Sequence, residues 1–235
     1  MATNQIAPSL LVFGPQTRPS PNDLADLRHE LLTNPSLSKA YAAAVDLPKF
    51  WERLLMLDAD LVQVPAKSHL HEFVEWLKGE RETPYCAVKC PITLTFLLNF
   101  LIQIKQYVRF LHSVDSGEAE DAQFLMLKRL RRGGVHGFCV GFLCAIVVSL
   151  SKTESELADN AVRALRLALV IGVYVDKDSK NGITTCISAR WRHKQTNALE
   201  TALTLLKGYP EVMFILGSSD TTFTDLFPGI HRWYH

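Results

Sequence analysis

The residues Gly137-Phe138-Cys139-Val140-Gly141 have the types and the spacing to do covalent chemistry. A cysteine stands midway between two glycines, each two positions away. With a nucleophile at its centre, this spacing builds a nucleophile elbow, in which a short strand turns sharply into a helix. The glycines leave room for strand and helix to cross closely. The thiol then sits at the helix N-terminus, whose dipole favours the reactive thiolate. The N–H of Val140 is left to stabilise an oxyanion. The plainer reading of the same residues is a small buried cysteine among glycines and apolar neighbours, since free cysteine is often buried.

An elbow needs a strand before it, a helix behind it and a second strand alongside. Gly133-Gly134 precedes the motif, and the apolar run Phe142 to Leu150 follows it as the expected helix. Ile6 to Phe13 is a short apolar run closed by Gly14-Pro15, which predicts a buried strand. The Gly-Pro-Gln turn after it suits a backbone that must approach a ligand.

Most of the remaining chain reads as helix. Asn22 or Asp23 is the expected cap of a helix from about Leu24, with Leu24, Leu27, Leu31 and Leu32 on its apolar face. A helix is expected over 35–45. Another starts at Pro48 and uses Phe50, Trp51, Leu54, Leu55 and Leu57 for its core face. Phe73, Trp76 and Leu77 form a further helical stripe, while His69 and His71 read as surface residues. Pro91 to Leu111 is apolar nearly all round, so it predicts a buried helix in which Gln103 and Gln106 need partners. The acidic stretch 115–121 reads as a solvated loop, and a helix is expected around 124–130. Thr153 and Glu156 predict a capping box for a helix over about 154–174. A polar turn at 176–182, a strand at 183–191, a helix at 196–207 and a strand at 212–216 complete the expected order.

The 235 residues suit one large domain with a small subdomain. A composition of 48% hydrophobic and 21% charged residues indicates a substantial core. The net charge of +1 gives no global field to attract nucleic acid or membrane. The local exception is Lys128-Arg129-Arg131-Arg132, readable as a solvated helix end or as a docking patch for an acidic carrier or for phosphates. Five cysteines, an odd number with no signal-peptide pattern before them, point to a reducing, cytoplasmic setting. Cys86 and Cys90 have no second ligand pair at metal spacing, so no metal is expected. Cys144, about a turn beyond Cys139, is expected in the core. The apolar runs 94–101 and 142–150 are too short to span a membrane.

Together with Phe13-Gly14-Pro15-Gln16, the Gly137–Gly141 elbow resembles the starter-unit acyl-carrier-protein transacylase domain of fungal non-reducing polyketide synthases. The helix containing Asn160 to Leu169 and the strand Ile187-Ser188-Ala189-Arg190-Trp191 extend the resemblance, which runs from about Leu11 to about Asp220. The resemblance, to a truncated or divergent member, implies an α/β fold of the malonyl-CoA:ACP transacylase type. Residues 1–182 would form an α/β-hydrolase-like large domain with a mainly parallel sheet. Residues 183–227 would form a shortened, ferredoxin-like α+β subdomain, and 228–235 a return segment.

The resemblance also implies roles. Cys139 would take a starter acyl group from acyl-CoA or an acyl-carrier thioester and pass it to an acyl carrier protein, with no bound cofactor. Other synthase domains would be further partners. Gln16 would supply the second oxyanion N–H beside that of Val140. Tyr234-His235 matches the end of the family's histidine segment, which makes His235 the base, with His231 in reserve and His136 and His112 behind them. Arg232 and Trp233 depart from the glycine and arginine expected there. Arg163 and Arg166 lie on the helix where malonyl-transferring relatives carry a carboxylate-binding arginine, but Ala168 takes its position, which implies an uncharged starter. The altered histidine segment keeps open a non-catalytic module that binds a carrier protein or synthase partner, and a cysteine hydrolase is a third reading.

Overall fold

The computed structural model describes residues 10–14, 18–84, 91–114, 121–130, 134–178, 185–191 and 212–218. The chain divides into two compact units, Met1–Lys177 and Asp178–His235. The first is mostly helical with a small parallel sheet, and the second contains a parallel strand pair, which is compatible with an α/β class.

In the first unit, β1 (Leu11–Phe13) pairs in parallel with β2 (Val135–Gly137), Phe13 standing opposite Gly137. Residues 6–9 of the expected strand lie outside the described residues, and Leu10 is not part of the strand. The first helix, α1 (Pro21–Thr33), starts earlier than expected, because Ser20 is its cap. The Asp23 N–H donates to Ser20 Oγ at 3.1 Å and the Ser20 N–H to Asp23 Oδ2 at 3.0 Å. Asp23 is thus the partner in a capping box, with Pro21 pre-set for the first turn.

A 3₁₀ turn (Pro35–Leu37) precedes α2 (Ser38–Val45), so the stretch 35–45 is two elements. Next come α3 (Leu47–Leu57) and, after a 3₁₀ turn, α4 (Ala66–Leu77). Trp51, Phe73, Trp76 and Leu77 are fully buried. Leu57 is not a core residue but is 85% exposed. At about 100° per residue it lies about 120° round the helix from Trp51, off the buried stripe.

The centre of the unit is α5 (Ile92–Val114), whose Leu94, Leu97, Leu98, Phe100, Leu101, Ile104 and Leu111 are buried. Each such side chain contributes about 1.5–3 kcal/mol relative to exposure. Gln106 is exposed and needs no protein partner, unlike Gln103. Lys105 is buried within this apolar helix and donates to Asp26 of α1. That bond holds the Asp26 carboxyl below the usual carboxylate range.

After α5 come α6 (Ala122–Leu130), β2, α7 (Val140–Leu150) and α8 (Glu154–Asp178). Asp121, expected in a solvated loop, instead accepts the N–H groups of Gln123 at 2.9 Å and Glu154 at 3.0 Å, joining the starts of α6 and α8. Half of the expected capping box at α8 forms: the Glu156 N–H donates to Thr153 Oγ1 at 3.2 Å, while the Glu156 carboxylate accepts the Lys152 N–H at 2.7 Å. Helix α8 runs beyond Tyr174, so Asp176 is helical rather than in a turn. The cause is tertiary: the Asp176 carboxylate accepts the Ile92 and Thr93 N–H groups at 3.0 and 2.9 Å, capping α5. Gly172 permits this approach, since a Cβ there would lie 2.6 Å from the Thr93 Cα.

In the second unit, β3 (Thr185–Trp191) pairs in parallel with β4 (Val212–Ser218), Thr185 opposite Val212. The expected helix at 196–207 lies outside the described residues.

Candidate active site

The sharpest backbone feature is Cys139, with φ 57° and ψ −125°. Among the described residues it is the one non-glycine residue with positive φ. Such a conformation costs about 1–3 kcal/mol and persists only where surrounding structure enforces it.

The enforcement is visible on both sides. The Phe138 N–H donates to the Phe13 carbonyl at 3.1 Å, carrying the sheet one residue past β2. The Gly141 and Phe142 N–H groups then donate to the Phe138 and Cys139 carbonyls, each at 3.0 Å, and start α7. Strand and helix are separated by a single reversed residue.

The glycines are required by close approach. A Cβ on Gly137 would lie 2.6 Å from the Phe142 Cα and closer still to the Gly141 carbonyl. A Cβ on Gly141 would lie 2.6 Å from the Phe13 carbonyl oxygen and closer to that of Gly14. All of these neighbours are backbone, so no side chain can yield. The elbow helix therefore rests directly on the end of β1.

The thiol is exposed at the helix start and makes no capping bond of its own. Among the described residues no backbone carbonyl accepts the Val140 N–H. Cys144 differs in every respect. It is buried, its thiol donates to the Phe100 carbonyl at 3.9 Å, and burial pushes its pKa up.

Gln16, His231 and His235 lie outside the described residues, as do Cys86, Cys90, Arg131 and Arg132. His136 is exposed on β2. His112, near the end of α5, lies 3.4 Å from a Glu154 carboxylate oxygen and 3.4 Å from Ser36 Oγ, a surface contact of α5 with α8. The structure thus brings together Cys139, Val140, Gly137, Gly141 and the Phe13-Gly14 end of β1.

On α8, Arg163 donates to Asn160 Oδ1 at 3.1 Å, Arg166 lies 5.7 Å from the Phe50 ring centre, and Ala168 is fully buried. Lys128 lies over the Phe124 ring. Among the described residues no three His, Cys, Asp or Glu side chains cluster as metal ligands. Nor is any described helix long and apolar enough to cross a membrane. A concavity of about 430 Å³ flanks the elbow between β2 and α7, lined by His136, Phe142, Ile146 and Leu150 among others. Cys139 does not line it.

Two glutamines reach this region. Gln103 donates to the Gly14 carbonyl at 3.2 Å. Gln123, which the sequence reading passed over, holds the far end of α7: its amide donates to the Val148 and Ser151 carbonyls at 2.9 and 2.7 Å and accepts the Tyr107 hydroxyl at 2.6 Å. The signal for it was a polar residue near the start of an otherwise apolar helical stripe.

Comparison with known proteins places the chain in a family. Residues 11–201 match the family described as "Starter unit:ACP transacylase in aflatoxin biosynthesis". Among curated proteins, the chain is 36% identical over 188 residues to 5-methylorsellinic acid synthase of Aspergillus terreus, covering 79% of this chain and 7% of that one. It is 34% identical over 211 residues to the non-reducing polyketide synthase spyA of Aspergillus fumigatus, covering 87% of this chain and 11% of the relative. To the non-reducing polyketide synthase dpfgA of Gibberella zeae it is 33% identical over 220 residues, covering 89% and 10%. The chain therefore spans only a small part of these relatives' length. With a family match across residues 11–201 and relatives above 30% identity over most of its residues, the chain belongs to the starter unit:ACP transacylase family.

Proposed function

We propose that the chain transfers a starter acyl group from a thioester to an acyl carrier protein in polyketide biosynthesis, through an acyl-enzyme on Cys139. The observation that carries this reading is the reversed backbone at Cys139, with its exposed thiol and the uncommitted Val140 N–H beside it.

The Cys139 thiolate adds to the thioester carbonyl. The carbonyl electron pair moves onto oxygen, where the N–H groups of Val140 and Gln16 stabilise it. Collapse of this intermediate expels the coenzyme A or carrier thiolate, which takes up the proton that Cys139 gave to the base. His235 is that base. In the second half the phosphopantetheine thiol of the carrier protein loses its proton to His235 and attacks the Cys139 thioester, and Cys139 leaves as thiolate. In this reading the fold is the malonyl-CoA:ACP transacylase type. Residues 1–182 form the hydrolase-like part, 183–227 a shortened subdomain and 228–235 the returning histidine segment.

Transfer of a labelled acetyl or hexanoyl group from coenzyme A to a carrier protein tests this function. His235→Ala should slow transfer by about two to four orders of magnitude, the usual worth of a positioned base, while His231→Ala changes little. The reverse result moves the role to His231. Equal and small effects from both mean that neither is the base and favour a carrier-binding module. Malonyl-CoA should be the poorer donor by a hundredfold or more, since an unpaired buried carboxylate costs several kcal/mol and Ala168 offers it no charge. Equal malonyl transfer would overturn that selectivity. Release of free acid without a carrier would identify a hydrolase.

A further inference from the structure

Helix α7 carries two stripes with the spacing of a core-facing helix. Val140, Leu143, Cys144, Val147 and Val148 fall at i, i+3, i+4, i+7 and i+8, and all five are buried. This stripe meets α5, where the Cys144 thiol donates to the Phe100 carbonyl. Phe142, Ala145, Ile146, Ser149 and Leu150 repeat the same spacing two residues on, which is the far side of the helix. Its large side chains are uncovered: Phe142 is 58%, Ile146 37% and Leu150 68% exposed. Helix α7 contains no charged residue, and a helix apolar all round belongs in an interior.

The uncovered stripe forms one wall of the concavity of about 430 Å³, and Val135, His136 and Gly137 of β2 form the other. No residue of β1 lines it, so it opens on the far edge of β2. That edge has no strand beside it among the described residues, since β1 and β2 make a two-stranded sheet. The Gly134 carbonyl accepts the Leu11 N–H and the Phe138 N–H donates to the Phe13 carbonyl, so the even-numbered residues here turn their polar groups to β1. Successive residues of a strand turn these groups to opposite sides. Val135 and Gly137 therefore present an N–H and a C=O each toward the concavity.

The two walls specify the occupant. An apolar molecule or a helix could cover the stripe but would leave the backbone groups of Val135 and Gly137 buried without partners, which folded proteins avoid. A strand satisfies both. Its backbone would lie about 4.8 Å from β2 and its alternate side chains over Phe142, Ile146 and Leu150. A second copy is a poor source for it, because β2 is only three residues long and two such edges could exchange few bonds. A longer polypeptide is a good source: the matched region makes up 7% of one relative and 11% of another, so most of such a chain lies outside it.

We propose that the groove between β2 and α7 receives a third strand, from a segment of the same polypeptide outside these 235 residues, with apolar side chains at alternate positions. Seated there, the strand pairs with the residues leading into Cys139 and covers the helix leaving it. It braces the elbow from the side opposite β1. This docking does not depend on the acyl-transfer reading.

The test uses the polypeptide at its native length. The photo-crosslinker p-benzoylphenylalanine is placed at Leu150, the most exposed residue of the stripe, and separately at Phe142, where it changes the side chain least. After irradiation, peptide mapping should find both crosslinks in one segment outside residues 1–235, with apolar residues at alternate positions. A crosslink confined to residues 1–235, a product of twice the chain mass, or no crosslink from either position overturns the proposal.

Hydrogen exchange gives the second readout. Ile146→Asp should expel the strand and speed amide exchange in the peptide containing Val135 and Gly137 about tenfold or more, because local opening then costs less. Val62→Asp is the control, on a residue 73% exposed in the 3₁₀ turn before α4. It should leave that exchange unchanged. Equal exchange in Ile146→Asp and wild type, or the same rise in Val62→Asp, overturns strand pairing at this edge. If Ile146→Asp fails to fold, the crosslinks decide.

Discussion

The two ends of the elbow helix are built on opposite terms. At its C-terminal end the Val147, Val148 and Ser151 carbonyls all accept side-chain hydrogen bonds. The buried Gln123 bonds Val148, Ser151 and Tyr107, Ser151 Oγ donates to the Val147 carbonyl at 2.6 Å, and Asn160 donates to Ser151 Oγ at 3.0 Å. At its N-terminal end the backbone is strained, the thiol is exposed and the Val140 N–H has no backbone acceptor among the described residues. The comparison teaches that the satisfied end anchors the helix so that the strained end can be held in place. Strain of about 1–3 kcal/mol survives only against such support.

Breaking the strained end directly should cost most. Gly141→Ala would drive a methyl into the Phe13 and Gly14 carbonyls, neither of which can move aside. We expect a loss of about 4 kcal/mol or more, among the largest single-residue effects. Urea unfolding measures it, and a loss below about 1 kcal/mol would mean that the crossing is not as close as described.

Breaking the satisfied end should cost somewhat less. Gln123→Leu leaves the Tyr107 hydroxyl and two helix-end carbonyls without partners, each worth about 1 kcal/mol, for a total of about 3 kcal/mol. If the anchor matters to the elbow, the same variant also changes the alkylation rate of Cys139, and an unchanged rate would separate the two ends.

A smaller effect is expected far from either end, at the buried Lys105 and its partner Asp26. Asp26→Asn leaves a buried ammonium without its counter-charge, while Arg109, 3.0 Å from the same carboxylate, is half exposed. We expect a cost of about 2 kcal/mol near neutral pH, below the usual range for a fully buried pair because Asp26 is itself partly exposed. The sign with pH follows from the lowered Asp26 pKa, caused first by the Lys105 bond. The wild-type advantage is complete above the unfolded carboxyl pKa of about 3.9 and disappears as pH falls through the lower folded value. Unfolding curves at neutral pH and below pH 3 check this, and an advantage that grows in acid would contradict it.

These features were unequally legible in the sequence. The elbow is local: two glycines around a cysteine specify a tight reversal, and the backbone reverses at Cys139. The helical stripes through Trp51, Phe73 and Trp76 were equally plain, since periodicity reports burial. What escaped was long-range polar satisfaction. Gln123 meets groups 16 to 28 positions away, and Asp176 caps α5 from 83 and 84 positions away. Nothing in a helical pattern says which carboxylate will fold back onto which helix start. Leu57 erred the other way, an apolar residue that the geometry of α3 turns to solvent.

The central claim is that the reversed residue is the acyl carrier of the enzyme. Intact-protein mass spectrometry after incubation with acetyl- or hexanoyl-CoA, followed by peptide mapping, tests it most directly. One acyl group per chain is predicted, mapped to Cys139 and lost in Cys139→Ala. No adduct, or an adduct that persists in Cys139→Ala, would contradict it.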